Sequence, residues 1–197
     1  MKRIESVYRE ILYRAMEKKE FELTQSELSK RLKISLSIIN SAVKKLNAIG
    51  AVKIKQRSFK VLDVRKIIYF WASVRNLERD IIFKARVEMP VREMERAMPD
   101  VAFTGYSAYK LRFNDVPADY SEIYVYANDE ELEEINKRFG LKGAEKGKRE
   151  NLFILKKDEL MKDYKQIPLA QVFVDLWNLK EWYAKEFVNS FEKRGLF

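Results

Sequence analysis

A chain of 197 residues can hold one large domain or two small ones, each with its own core. It has no Cys and no His, which excludes disulfides, the usual zinc sites, thiol or imidazole nucleophiles and imidazole acid–base chemistry. The formal charge of +9 comes entirely from the first 62 residues, which hold fifteen Lys or Arg against six Glu, while 63–197 hold twenty-four of each sign. That segregation points to a polyanion partner for the first segment alone. A hydrophobic content of 47% suits a folded protein. No apolar run reaches membrane length, and the N-terminus has no signal-peptide core. A cytoplasmic protein without membrane contact is therefore expected. The wealth of Lys, Arg and Glu is also that of thermophile proteins.

In chain order, Ile4, Val7, Tyr8, Ile11, Leu12 and Ala15 form one face of a helix over 4–18. Thr24 and Glu27 have capping-box spacing and open a second helix through Leu32. After the turn at Lys33 and Ile34, Ser35 is the N-cap of a third helix running to Ile49, and Gly50 ends it. On this helix Ile39, Val43 and Leu46 form the buried stripe, which leaves Ser37, Asn40, Ser41, Lys44 and Lys45 outward. Residues 51–55 and 59–62 alternate as strands, joined by a hairpin tip at 56–58.

Helix, helix, turn, helix and hairpin is the order of a winged helix-turn-helix. The stretch from Gln25-Ser26-Glu27-Leu28-Ser29 to Leu46-Asn47-Ala48-Ile49-Gly50-Ala51-Val52 closely resembles that superfamily, over about 4–62. The resemblance implies a third helix in the major groove of double-stranded DNA, with the hairpin along the adjacent backbone. Chemistry supports the same partner without the name. Asn suits adenine and Lys suits guanine, and Ser37 and Ser41 are short enough for close approach. Lys53, Lys55, Arg57 and Lys60 on the wing suit phosphates. The competing interpretation is a solvated face on a protein–protein module.

From Asp63 the pattern predicts a helix to about Ala85. Phe70, Val74, Leu77 and Ile81 follow 4-3-4 spacing, with Ile67, Trp71 and Ile82 beside them. This stripe either packs the winged helix on the rest of the chain or pairs two copies as a homodimer.

Beyond it, the expected elements are a helix over 91–98, a strand over 101–104 and a helix over 106–111. A strand over 122–127, a helix over 129–139 and a strand over 152–155 follow, then one long helix over 169–194. The loop at 140–150 carries Gly143 and Gly147 but lacks P-loop order. Strand, Thr-Gly-Tyr-Ser, helix, loop and strand at 101–126 resembles the start of the minimal nucleotidyltransferase fold. Gly105 and Ser107 match its phosphate-receiving turn. The metal-holding acid pair of that fold is missing, because Asp119 and Glu122 are three apart and alternate to opposite faces. Pro168-Leu169-Ala170-Gln171-Val172-Phe173-Val174-Asp175-Leu176 resembles the corresponding segment of AbiEi-type antitoxin repressors, which join a winged helix to a nucleotidyltransferase-related domain. Similar two-domain proteins are common in archaea. The resemblance implies a second domain that senses or binds a protein partner without chemistry. Gln171 and Asp175, one helical turn apart, are candidates for a ligand cleft with Gly105 and Ser107, or else simply bond to neighbouring backbone.

The expected fold is thus α+β: a winged helix-turn-helix at 1–62, a linker helix at 63–88 and a nucleotidyltransferase-like α/β domain at 89–197. The expected function is a DNA-binding transcriptional regulator that needs no cofactor or metal and has no catalytic residues. An antitoxin is one alternative. The other is a metal-dependent nucleotidyltransferase using Ser107 with Asp119 or Glu122.

Overall fold

The computed structural model describes residues 1–141 and 149–195. The loop expected at 140–150 falls mostly on 142–148, outside the described residues. The chain mixes helices with two separate sheets.

Helix α1 (Arg3–Tyr13) continues into a wider turn at Arg14–Lys18, which Lys19 closes in the left-handed region at φ 61°. Its apolar face, Val7, Tyr8, Ile11 and Leu12, is fully buried, and so are Glu5, Arg9 and Glu10. Burial on its polar side as well shows that α1 is an interior helix, touching α3, α4 and α8. Strand β1 (Glu22–Leu23) follows, then α2 (Gln25–Leu32) and α3 (Leu36–Ala48). Thr24 caps α2 by accepting from the Glu27 N–H at 3.1 Å. Glu27 does not complete the box. Its carboxylate takes Arg14 instead, an ion pair across helices. Ser35 stands at the N-cap of α3 without a side-chain bond.

Strands β2 (Val52–Ile54) and β3 (Phe59–Val61) form the hairpin, and β1 adds a third antiparallel strand in the order β1-β3-β2. That third strand has no counterpart in the sequence expectation, because two residues are too few to show a period.

Helix α4 (Val64–Val74) stops eleven residues short of its expected end. The backbone turns extended at Arg75, a 3-10 turn spans Leu77–Asp80, and β4 (Ile81–Ala85) enters the second sheet. The linker helix expected over 63–88 is therefore helix, turn and strand. The reason lies in Arg75, whose buried guanidinium is held by Glu5, Asp80 and Asp175 and so draws the chain inward. Of the predicted stripe, Leu77 is buried and Phe70 packs edge-on against Tyr8, while Val74 is exposed. The stripe is largely consumed inside one chain, which leaves little of it for a helix-paired homodimer.

After α5 (Val91–Ala97) come β5 (Ala102–Thr104), α6 (Gly105–Phe113), β6 (Ile123–Ala127), α7 (Asp129–Phe139) and β7 (Leu152–Lys156). The second sheet has the order β4-β7-β6-β5, parallel only between β6 and β7. Strand β6 is buried on both faces. Ile123, Val125 and Ala127 join a small core under α5 and α7, while Tyr124 and Tyr126 face a large core. That large core is continuous from the winged helix to the end of the chain.

The single long helix expected over 169–194 is two, α8 (Leu169–Trp177) and α9 (Ala184–Lys193). A straight helix would separate residues 173 and 191 by about 27 Å. Instead the Phe173 and Phe191 rings are 5.6 Å apart, because α9 folds back on α8 to bury Phe187 and Phe191. Asn178 stabilises the break by donating to the Val174 and Ala72 carbonyls at 2.9 and 3.1 Å. Among the described residues no helix is long and apolar enough to cross a membrane.

Candidate nucleic-acid interface

Helix α3 buries Ile39, Ala42, Val43 and Leu46 and leaves Ser37, Ser41, Lys44 and Lys45 exposed. Residues 37, 41, 44 and 45 share one face by helical spacing. Leu36, the first residue of α3, is exposed at 53%, a large apolar side chain on an otherwise polar surface. Asn40 differs from its neighbours. It is half-buried, and its Nδ2 donates to Gln25 Oε1 of α2 at 3.2 Å.

The end of α3 fixes where the wing begins. Gly50 has φ 69°, the left-handed conformation that glycine adopts without strain. The Gly50 N–H donates to Asn47 O at 3.0 Å and the Ala51 N–H to Leu46 O at 2.9 Å, the two bonds of a Schellman cap. Ala51 is then buried, and the chain enters β2 directly. The Ile54 N–H donates to Asn47 Oδ1, which ties β2 to α3.

On the wing, Lys53, Lys55, Arg57 and Lys60 are all exposed. Lys53 and Lys60 lie directly opposite each other in the β2–β3 register, a like-charge pair that costs stability in the free protein. A bound anion would relieve it. Lys55 is different, because its Nζ lies 2.8 Å from Glu22 Oε2 on β1, and Ser58 Oγ donates to the same carboxylate at 2.7 Å. These contacts, Lys55 first, hold the Glu22 carboxyl below its usual range. Among the described residues Lys44, Lys45, Lys53, Arg57 and Lys60 form no ion pair, although Lys60 lies opposite Glu22 in the β1–β3 register and feels its charge; Lys55 is neutralised locally.

The second predicted set, Gly105, Ser107, Gln171 and Asp175, is closed. All four are buried, Gln171 and Asp175 completely. Asp175 accepts from Thr104 at 2.8 Å, Tyr126 at 2.6 Å and Arg75 at 3.3 Å, and Gln171 donates to the Tyr126 hydroxyl at 2.8 Å. Gln171 and Asp175 thus spend their polar atoms on one another and on buried neighbours, while the buried Ser107 Oγ has no hydrogen-bond partner among the described residues, and none of the four opens to solvent. The open groove nearby, of about 360 Å³, is lined instead by Leu77, Lys84, Tyr124, Phe153 and Leu179, with Arg75 at its inner end. The acids named for the enzyme alternative do not converge either. Glu122 is buried and takes Ser121, Tyr183 and Arg149, while Asp119 is exposed. No group of three or more acids that could hold a metal occurs among the described residues.

Gln25, Glu22 and Leu36 are the residues of this surface that sequence reasoning missed. Gln25 and Glu22 act through partners fifteen and thirty-three positions away, beyond the reach of periodicity. Leu36 could have been flagged as an apolar residue off the buried stripe.

Comparison with known proteins agrees with this geometry. A family model described as an HTH domain matches residues 8–58. That span takes in α1 from Tyr8, all of α2 and α3, and the hairpin tip. Residues 8–58 are thus a winged helix-turn-helix DNA-binding domain, which points to a regulator more than to an enzyme. Neither curated proteins nor solved structures give a match to the chain.

Proposed function

We propose that this protein is a sequence-reading transcriptional regulator that lays α3 in the major groove of duplex DNA and its wing along the flanking backbone. Ser37, Asn40, Ser41, Lys44 and Lys45 face base edges in this reading; Lys53, Arg57 and Lys60 face phosphates, with Lys55 freed from Glu22 to join them. The observation that carries it is the coincidence of two independent features. The +9 excess belongs to residues 1–62, and within them Lys44, Lys45, Lys53, Arg57 and Lys60 lie without an ion pair on the two elements that a helix-turn-helix turns toward DNA.

Binding should be strongly salt-dependent. With roughly six phosphate contacts, log K against log salt falls with a slope of about −5. Asn40→Ala should cost about 1–3 kcal/mol on the preferred site and relax the preference there. An affinity that ignores salt, or Asn40→Ala with unchanged selectivity, contradicts the placement.

The rest of the chain, 89–197, enters this reading as a non-catalytic sensing or interaction unit, with 63–88 as the connection. That is what the AbiEi resemblance of 168–176 implies, and it brings with it the antitoxin role, the archaeal source and the nucleotidyltransferase-like topology. The protein works in the cytoplasm on this account. Pairing on two-fold half-sites remains part of the proposal, and sedimentation with and without a two-fold duplex tests it. A strict monomer in both states removes the dimer.

A further inference from the structure

We propose that Gln25 is a positioning residue for Asn40, so that adenine is read by a two-residue amide clasp spanning α2 and α3. The proposal rests on the DNA-binding reading above. Gln25 is the first residue of α2 and Asn40 the fifth of α3. The turn at Lys33, with φ 53°, brings the two helices together so that Asn40 Nδ2 donates to Gln25 Oε1 at 3.2 Å. Both side chains are half-buried, and among the described residues the Asn40 amide makes no hydrogen bond other than the one to Gln25.

A primary amide carries two N–H donors and one acceptor oxygen. Gln25 takes one N–H of Asn40. The second N–H and Oδ1 remain in the amide plane, a donor beside an acceptor, which is the complement of adenine N7 and N6–H in the major groove. The terminal torsion of Asn is broad and roughly two-fold, so an unheld Asn spends much of its time misaligned. A carbonyl at Gln25 favours the orientation that turns the amide nitrogen toward it. It also holds that rotor before DNA arrives, and removing such an ordering cost is worth roughly fivefold in affinity for the base it serves. Ser37 and Ser41, short and exposed on the adjoining positions, leave room for the base edge to approach.

The test uses the full chain and a duplex selected from a random pool, with each adenine of the site replaced in turn by the other bases and by 7-deazaadenine, which lacks N7. The wild-type protein should lose about tenfold at one adenine on either change. Gln25→Met keeps the length and removes the acceptor. It should lower the adenine preference about fivefold and leave the salt slope unchanged, since no charge is altered. Gln25→Glu keeps an acceptor. It should preserve the preference while weakening every duplex alike, because a carboxylate now faces the phosphates. A preference that survives Gln25→Met, or that Gln25→Glu loses equally, overturns the clasp and leaves DNA binding standing. The 7-deazaadenine arm needs no variant, and indifference to it at every adenine overturns the clasp by itself. A wild-type protein that binds no duplex overturns the DNA reading, and the clasp with it.

Discussion

Lys53 and Lys55 are two positions apart on the wing, yet only Lys55 has a carboxylate beside it. Their consequences for DNA binding should differ accordingly. Lys53→Ala removes an uncompensated cation and should weaken all duplexes while lowering the salt slope by about 1. Lys55→Ala removes a cation that must first leave Glu22, and should cost less. Glu22→Gln, which frees Lys55, should tighten binding to every duplex about two- to fivefold, the worth of an exposed ion pair. Affinities at two salt concentrations separate the three variants, and an unchanged affinity in Glu22→Gln would show that the pair does not compete with phosphate. The Glu22 carboxyl is held below its usual range, so its small contribution to stability is present above that range and is lost only as pH falls through the depressed value. The sequence marks all four wing cations as exposed and basic. It does not show that one is already paired, because Glu22 reaches Lys55 only through the two-residue strand β1.

Elements whose signals are local were the legible ones. The Thr24 cap, the periods of α1 to α3 and the glycine after α3 lie within a few residues of what they control, and these elements form close to where they are expected, although the Glu27 half of the box and a side-chain bond from Ser35 do not form. Gly50 offers a direct test. A Cβ there would meet nothing closer than the Lys66 ammonium at 3.5 Å, so Gly50→Ala should cost only the left-handed backbone penalty, about 1–2 kcal/mol in denaturant unfolding. A cost near zero would mean the cap relaxes freely. Elements that depend on distant partners carry no such local signal. The stripe from Phe70 to Ile81 keeps helical spacing through Arg75, yet the chain breaks there because Arg75 bonds residues 70 and 100 positions away. The break between α8 and α9 carries no Pro or Gly and is set by where Phe187 and Phe191 must pack.

Across the whole molecule, the DNA-binding part and the rest are joined by buried polar contacts as well as by a shared apolar core. Arg9 of α1 donates to Asp158 at 2.7 and 2.8 Å and to Gln171 of α8 at 3.4 Å. Burial works against the Arg75 charge, and Tyr126, Asp175, Asp80 and Glu5 around it more than restore it, so its pKa is raised. Arg75→Ala leaves the buried Glu5 and Asp175 carboxylates without their cation, while Asp80 keeps the Met1 ammonium, and should cost about 3–5 kcal/mol. The loss should appear as one lowered transition for the whole chain. Two separate transitions would mean that the winged helix is thermodynamically independent. Alkali probes the same core. Burial, with Glu5 adding to it, pushes Tyr8 up to about 12, and burial raises Tyr106, Tyr124, Tyr126 and Tyr164 as well. A phenol raised in the folded state contributes stability that is full below its unfolded value near 10 and is lost as pH climbs through the folded value. A share of the phenolate absorbance of the ten tyrosines should therefore appear only together with the change in circular dichroism above about pH 10, and full phenolate absorbance before any change in circular dichroism would contradict the buried placement.

The most direct test of the central claim is selection of duplexes by the intact protein from a random pool, followed by affinity across a salt series. The account predicts an enriched consensus, a slope of log K against log salt of about −5, and a large loss of preference in Asn40→Ala at one adenine position. A pool that never enriches, with an affinity indifferent to salt, would contradict it.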